Sequence, residues 1–285
     1  MGQPVLSTEV LASKKEFIRD TFRQIKDLGI PLVLQVVSSD SSLNDWRAYL
    51  DVAAEEDIKV VTSFIENPPQ WDGEKFDLGI NEDYLLAMKD HPALFGFAIL
   101  DEPYHQKHNR QFTSDRLQTL YNQVKDIAPN VKIMVQFSRE LWKFGDNPNT
   151  AFKNNQCDIC GVSSLEFRNY GEGNIFDKDS LTQNHITSRS ILKKADSDGL
   201  ISTFVQAFGS AGGGSSYYMP EPDEFQQMID ILLSDRLQDA GKLNILGFQT
   251  WRALDARADS GQLNLSKPEF SRHRDIIKKT CSNLN

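Results

Sequence analysis

Cysteine is scarce in this chain: Cys157, Cys160 and Cys281 are the only three in 285 residues, and an odd number builds no disulfide framework. Cys157-Asp158-Ile159-Cys160 has metal or redox spacing, but no second cysteine pair or nearby histidine accompanies it. It also lies in a strand-like run, so buried structural thiols are expected. Long apolar stretches are missing as well. The longest are strand-sized, well short of the roughly 18 to 20 residues a membrane helix needs, which excludes a helical membrane span. There is no basic run either, and the formal net charge is -9, whereas phosphate backbones are held by clustered Lys and Arg; no nucleic-acid partner is expected. Met1 to Ser7 lacks a basic region followed by an apolar core, so no signal peptide is expected. Cytoplasmic residence stays open, as do secretion and the periplasm if a leader had been removed. No Gly-x-Ser-x-Gly elbow occurs, which disfavours a serine hydrolase. No glycine fingerprint follows the first strand, which disfavours an open, doubly wound sheet.

What is present is a core and a rhythm. Hydrophobic residues make up 39% and charged residues 25%, enough for a large core under a polar surface. Short runs rich in Val, Ile and Phe alternate with segments of helical periodicity, the pattern of repeated βα units around a parallel sheet. The runs are Leu32 to Val37, Lys59 to Ile65, Leu94 to Leu100, Lys132 to Phe137, Ile159 to Ser163, Ile201 to Phe208 and Ile245 to Trp251, with Pro4 to Ser7 as a weak first strand. Several are almost continuously apolar, as strands buried on both faces are. Between them, Val10, Phe17, Ile18, Phe22, Ile25 and Leu28 form one helical stripe stopped by Gly29, and Ser114 to Ala128 and Pro222 to Leu237 repeat the pattern. Trp46 falls in a further helical stretch, Leu43 to Glu56, as packing. Strand-helix repetition closes naturally at eight, and such barrels run to about 250 residues. The expectation is an α/β chain forming a single (β/α)8 TIM barrel over residues 1–285.

Reactive groups in such a barrel sit at the C-terminal ends of the strands. There the fourth strand stands out, because His91-Pro92-Ala93-Leu94-Phe95-Gly96-Phe97-Ala98-Ile99-Leu100 runs straight into Asp101-Glu102-Pro103-Tyr104. Two adjacent carboxylates at a strand end are costly to bury without a task. Simple alternation places Gly96, Ala98, Leu100 and Glu102 on one face. With the small residues toward the barrel axis, Glu102 points into the site, and Asp101 orients it or raises its pKa by like-charge repulsion. A raised pKa is what a general acid for a glycosidic oxygen requires.

The run His91 to Pro103 resembles the fourth strand of glycoside-hydrolase barrels related to the β-galactosidase and cellulase clan, in particular members with Asp-Glu-Pro where the clan typically has Asn-Glu-Pro. Phe204 to Gly209, Pro220 to Phe225 and Ile245 to Trp251 resemble the closing third of those barrels. The resemblance implies a glycosidase with Glu102 as acid/base. It also implies a nucleophilic Glu at the end of strand seven, where this sequence has Gln206, which cannot attack an anomeric carbon. Three readings follow. Glu166, in Ser163-Ser164-Leu165-Glu166-Phe167 after strand six, supplies the second carboxylate. Alternatively Asp101 orients an acetamido group in a substrate-assisted reaction, since adjacent Asp-Glu also resembles the β-hexosaminidases. Or the barrel binds carbohydrate without cutting it.

Gln35, Gln136, Gln206 and Gln249 lie at or near strand ends, as hydrogen-bonding groups for a polyhydroxylated ligand. Trp251 shares parity with Gln249 as a stacking floor or a core indole. Trp71, among turn residues, is expected as an exposed platform, with Tyr104, Tyr217 and Tyr218 as weaker candidates. His91 reads as structural. His105 and His108 lie three apart without a third ligand, so no metal is expected, and no cofactor is implied. The loop Gly209 to Ser216 would also suit the phosphate of a phosphosugar aldolase or isomerase, but no strand carries a lysine at its C-terminal end. The expected partner is a carbohydrate.

Overall fold

A computed structural model describes residues 8–36, 42–63, 68–104, 111–137, 141, 147–162, 167–169, 174–195, 198–206, 219–249 and 268–284. Seven strands form one sheet: β1 (Leu32–Val36), β2 (Lys59–Ser63), β5 (Leu94–Asp101), β6 (Lys132–Gln136), β7 (Ile159–Gly161), β10 (Leu200–Gln206) and β11 (Leu243–Gln249). They neighbour one another in that order, every pair parallel. Two short antiparallel ribbons lie outside it, β3 (Gln70–Trp71) with β4 (Phe76–Asp77) and β8 (Phe167–Asn169) with β9 (Asn174–Phe176). These seven strands are the second to eighth expected from the apolar runs; Pro4 to Ser7 lies outside the described residues.

Helices connect the strands: α1 (Thr8–Asp27), α2 (Leu43–Glu55), α3 (Ile80–Met88), α4 (Ser114–Ile127), α5 (Lys178–Lys194), α6 (Pro222–Leu233), α7 (Asp235–Ala240) and α8 (Ser271–Leu284). Their ends follow from local chemistry. Ser42 and Asp45 close a capping box on α2, Thr113 caps α4 through the Arg116 N–H, and Gly29 takes a positive φ just past α1. The single helix expected over Pro222 to Leu237 is instead two, because Ser234 is extended (φ −61°, ψ 148°) and its hydroxyl donates to Ile231 O.

The two faces of the sheet are covered differently, which separates a barrel from a doubly wound sheet. On one face Val61, Ala98, Met134 and Ile159 cluster with Leu32, Phe95, Leu200, Phe204 and Ile245, all of them strand residues. The other face packs on helices: Val60, Phe97, Leu100, Ile133 and Val135 meet Trp46, Leu50, Tyr84, Leu85, Leu117 and Leu120, and Val205 meets Phe225, Met228 and Ile229. A sheet curled with its strand-only face inward and its helices outside is the (β/α) barrel arrangement. Among the described residues no helix is long and apolar enough to cross a membrane.

Two polar clusters brace the outer layer. Asp158 accepts from Tyr121 Oη (2.9 Å), Ile133 N (2.8 Å) and Lys125 Nζ (2.7 Å), tying α4 to β6 and β7. Burial works against its charge, but these donors win and hold the carboxyl below its ordinary pKa. Arg189, buried on α5, donates to Leu232 O (3.1 Å), Leu237 O (3.4 Å) and Gly241 O (3.4 Å), where α6 and α7 end. Those carbonyls carry the negative end of each helix dipole, so they offset part of the cost of burying the guanidinium. The expectation of unpaired thiols is overturned for two cysteines. Cys157 and Cys160, both buried, form a disulfide across Asp158, and Cys281 alone is a free thiol.

Candidate active site

The C-terminal end of β5 does not follow the alternation that its sequence suggests. Ala98 pairs with Met134, but the next pair is Leu100 with Val135, so β5 carries one extra residue there, a β-bulge. Ile99 and Leu100 therefore both enter the outer core, and the axial face resumes at Asp101, in register with Gln136. This corrects the face expected of both Leu100 and Glu102: Leu100 leaves the face of Gly96 and Ala98, and Asp101 takes the axial register that simple alternation gave to Glu102. Bulky Leu100 gains more from the apolar layer under the helices than from a polar barrel mouth.

Glu102, half-buried, follows with φ +50°, and its N–H donates to Gln136 O at 2.7 Å. Among the described residues two other non-glycines have positive φ, Asp57 and Asn155, and both are of types that tolerate it. A glutamate is not of that kind, and Pro103 after it further narrows its backbone. The chain thus holds a glutamate on strained backbone at the end of β5, directly after Asp101. Strain of this sort concentrates where function needs a fixed geometry.

Of the other expected site residues, Gln136 lies beside this pair. It ends β6 on the axial face, with its carboxamide against Gly161 of β7. Gln206 and Gln249 end β10 and β11 as a register pair, with their backbones alone described. Three residues lie elsewhere. Gln35 faces the helices, where its Oε1 accepts from Tyr49 Oη at 3.3 Å, because odd-numbered positions of β1 point outward. Trp71 is no open platform: its ring packs edge-on to Phe76 with centroids 5.0 Å apart, and the Arg116 guanidinium covers it at 4.6 Å. Tyr104 is a buried core ring beside Phe137. Both aromatics gain more from these core contacts than from water. His91 is structural as expected, bridging Asp51 Oδ1 (3.1 Å) and the Ala93 N–H (3.2 Å). Glu166, Trp251, His105, His108, the loop Gly209 to Ser216, Tyr217 and Tyr218 lie outside the described residues.

The register adds two residues that the sequence reading passed over. Gly161 and Ser202 continue the layer of Asp101 and Gln136 across β7 and β10. Ser202 alternates with Phe204 on the axial face, a periodicity legible in the sequence had small polar residues been sought there.

No protein-family model matches the chain, and no curated protein does. Solved structures do match it. An endoglucanase from Pseudomonas stutzeri superposes with a TM-score of 0.59 at 16% identity, covering 92% of this chain and 84% of that one. A GH99 endo-α-mannosidase from Bacteroides thetaiotaomicron gives 0.58 at 10% identity over 95% and 86%. The β-glucuronidase of Ruminococcus gnavus gives 0.56 at 10% identity, over 94% of this chain and 46% of that one. At such identities the likeness is one of fold, an α/β barrel of the kind these glycoside hydrolases share.

Proposed function

We propose that this chain hydrolyses glycosidic bonds in an oligo- or polysaccharide, with Glu102 as the general acid/base and Asp101 at its side. The observation that carries this is the strained Glu102 backbone at the end of β5, fixed through its N–H to Gln136 and followed by Pro103. A carboxyl so placed protonates the leaving oxygen when protonated and activates water once ionised. The barrel fold, common to the glycosidases above, supports the reading. Glu166, after the sixth strand, is our candidate for the second carboxylate. A separation of roughly 5 to 5.5 Å from Glu102 would go with retention and roughly 6.5 to 9.5 Å with inversion.

A second reading is favoured by the bulge. Because Asp101 shares the axial register with Gln136, it stands where it can orient a substrate acetamido group that serves as the nucleophile. This reading does without a carboxylate at Gln206. Product release from a panel of oligosaccharides, with and without N-acetyl groups, tests both. Wild type should release sugar and Glu102→Gln should be slower by about 10² or more. Loss of activity in Glu166→Gln selects the two-carboxylate mechanism, and activity confined to N-acetylated substrates with Glu166→Gln intact selects the other. Product formed equally by Glu102→Gln would exclude Glu102. A wild type that binds glycans yet releases nothing would make the barrel a carbohydrate-binding protein.

A further inference from the structure

The Gln136 carboxamide is seated in a way that the fold alone does not require. It lies flat on Gly161, where a Cβ would overlap Oε1 and stand 2.5 Å from Cδ and 3.1 Å from the Gln136 Cα. Among the described residues Oε1 is buried without a hydrogen-bond partner, and so is the Ser202 hydroxyl, on the far side of Gly161 in the same layer. A buried polar atom left unpaired destabilises the folded state. The axial neighbour two residues earlier is Met134, which fills the same face with no such penalty.

Resting on the carbohydrate reading above, we infer that Gln136 is a specificity-determining residue that binds a ring hydroxyl of the saccharide, and that position 161 is glycine to give its carboxamide room. A hydroxyl both donates and accepts, so it satisfies either face of the amide. The terminal torsion of glutamine is soft, which lets the group turn from Gly161 toward a ligand at the barrel mouth. Gln136 stands beside Asp101 in register and holds the Glu102 N–H on its own carbonyl, so a hydroxyl bound there is next to the proposed acid/base.

The test compares full-length wild type, Gln136→Met, Gly161→Ala and the double variant. Each is melted without ligand and titrated with cellotetraose, mannotetraose, laminaritetraose and chitotetraose. Gln136→Met should melt higher than wild type, because an apolar side chain of similar size relieves the orphan. It should bind the oligosaccharide that wild type prefers at least tenfold more weakly. Gly161→Ala should lose a similar factor by displacing the carboxamide, with little further loss in the double variant. Should Gly161→Ala fail to fold, Gln136→Met decides alone. A lower melting temperature for Gln136→Met would mean that the amide serves the fold, and unchanged affinity would mean that it touches no ligand; either overturns the inference. If wild type itself binds none of the four sugars, the carbohydrate reading fails first and takes this inference with it.

Discussion

The Glu102 N–H donates to the Gln136 carbonyl oxygen at 2.7 Å, joining the ends of β5 and β6 one residue beyond their last register pair, Asp101 with Gln136. The bond forms because the bulge at Ile99 and Leu100 shifts β5 by one residue and the backbone then turns at positive φ. The backbones of Asp101, Glu102 and Gln136 are consequently adjacent at the ends of β5 and β6.

His185 should make the fold acid-sensitive well above the carboxylate range. It is fully buried on α5, and burial first, then the Arg189 charge, push its pKa down to about 3. Unfolded, it titrates near 6.5. Its pKa is depressed on folding, so its contribution is complete above pH 6.5 and is lost as pH falls toward 3, because the unfolded chain takes up a proton that the folded one refuses. The slope is at most about 1.4 kcal/mol per pH unit. Urea unfolding between pH 4.5 and 6.5, above the window in which Asp158 titrates, should show a flatter pH dependence for His185→Leu than for wild type. Parallel curves would refute this.

Arg189→Met should destabilise the chain by about 1–3 kcal/mol, since Gly241 O loses its guanidinium donor while Leu237 O keeps the Gly241 N–H and Leu232 O keeps Gln238 Nε2. Hydrogen exchange should speed up first in α6 and α7. A loss below about 0.5 kcal/mol would mean that water replaces the guanidinium without cost.

Ser202→Ala should raise stability by about 1 kcal/mol, the penalty of a buried hydroxyl without a partner. Thermal unfolding checks this, with a gain of about 2 °C expected for a chain of this size. A decrease would show that a buried water satisfies Ser202 Oγ.

The Cys157 to Cys160 disulfide closes a very short loop, so its effect on the unfolded chain is small. The chain-entropy relation gives about 2 kcal/mol for a loop of this size. The Cys157→Ala and Cys160→Ala double variant should lose about that much and retain its fold, as followed by chemical denaturation with and without reductant. Thiol titration of the unfolded wild type should find Cys281 alone reactive.

Most of the fold was legible because it rests on one-dimensional signals. Apolar runs set the seven sheet strands to within two residues at each end, and the helical stripes and stops marked α1, α2 and α4. The placement of the candidate site residues was legible in part. Asp101, Glu102 and Gln136 are found together at adjacent strand ends, because a parallel barrel brings all its C-terminal ends to one rim. Gln35, Trp71 and Tyr104 were misplaced for one shared reason. Each can serve either water or core, and the neighbours that claimed them, Tyr49, Arg116 and Phe137, lie 14 to 45 positions away in sequence.

What the sequence by itself determined was which segments form the seven strands of the sheet and several of its helices, and that a pair of acids follows the apolar run of β5. Hydrophobic periodicity and chain stiffness act over a few residues, so they can be read locally. Which way each strand-end side chain points was decided only when the strands paired. One extra residue in β5 sent Leu100 outward and put Asp101 on the axis, because backbone hydrogen bonding across strands outweighs the alternation of any single strand.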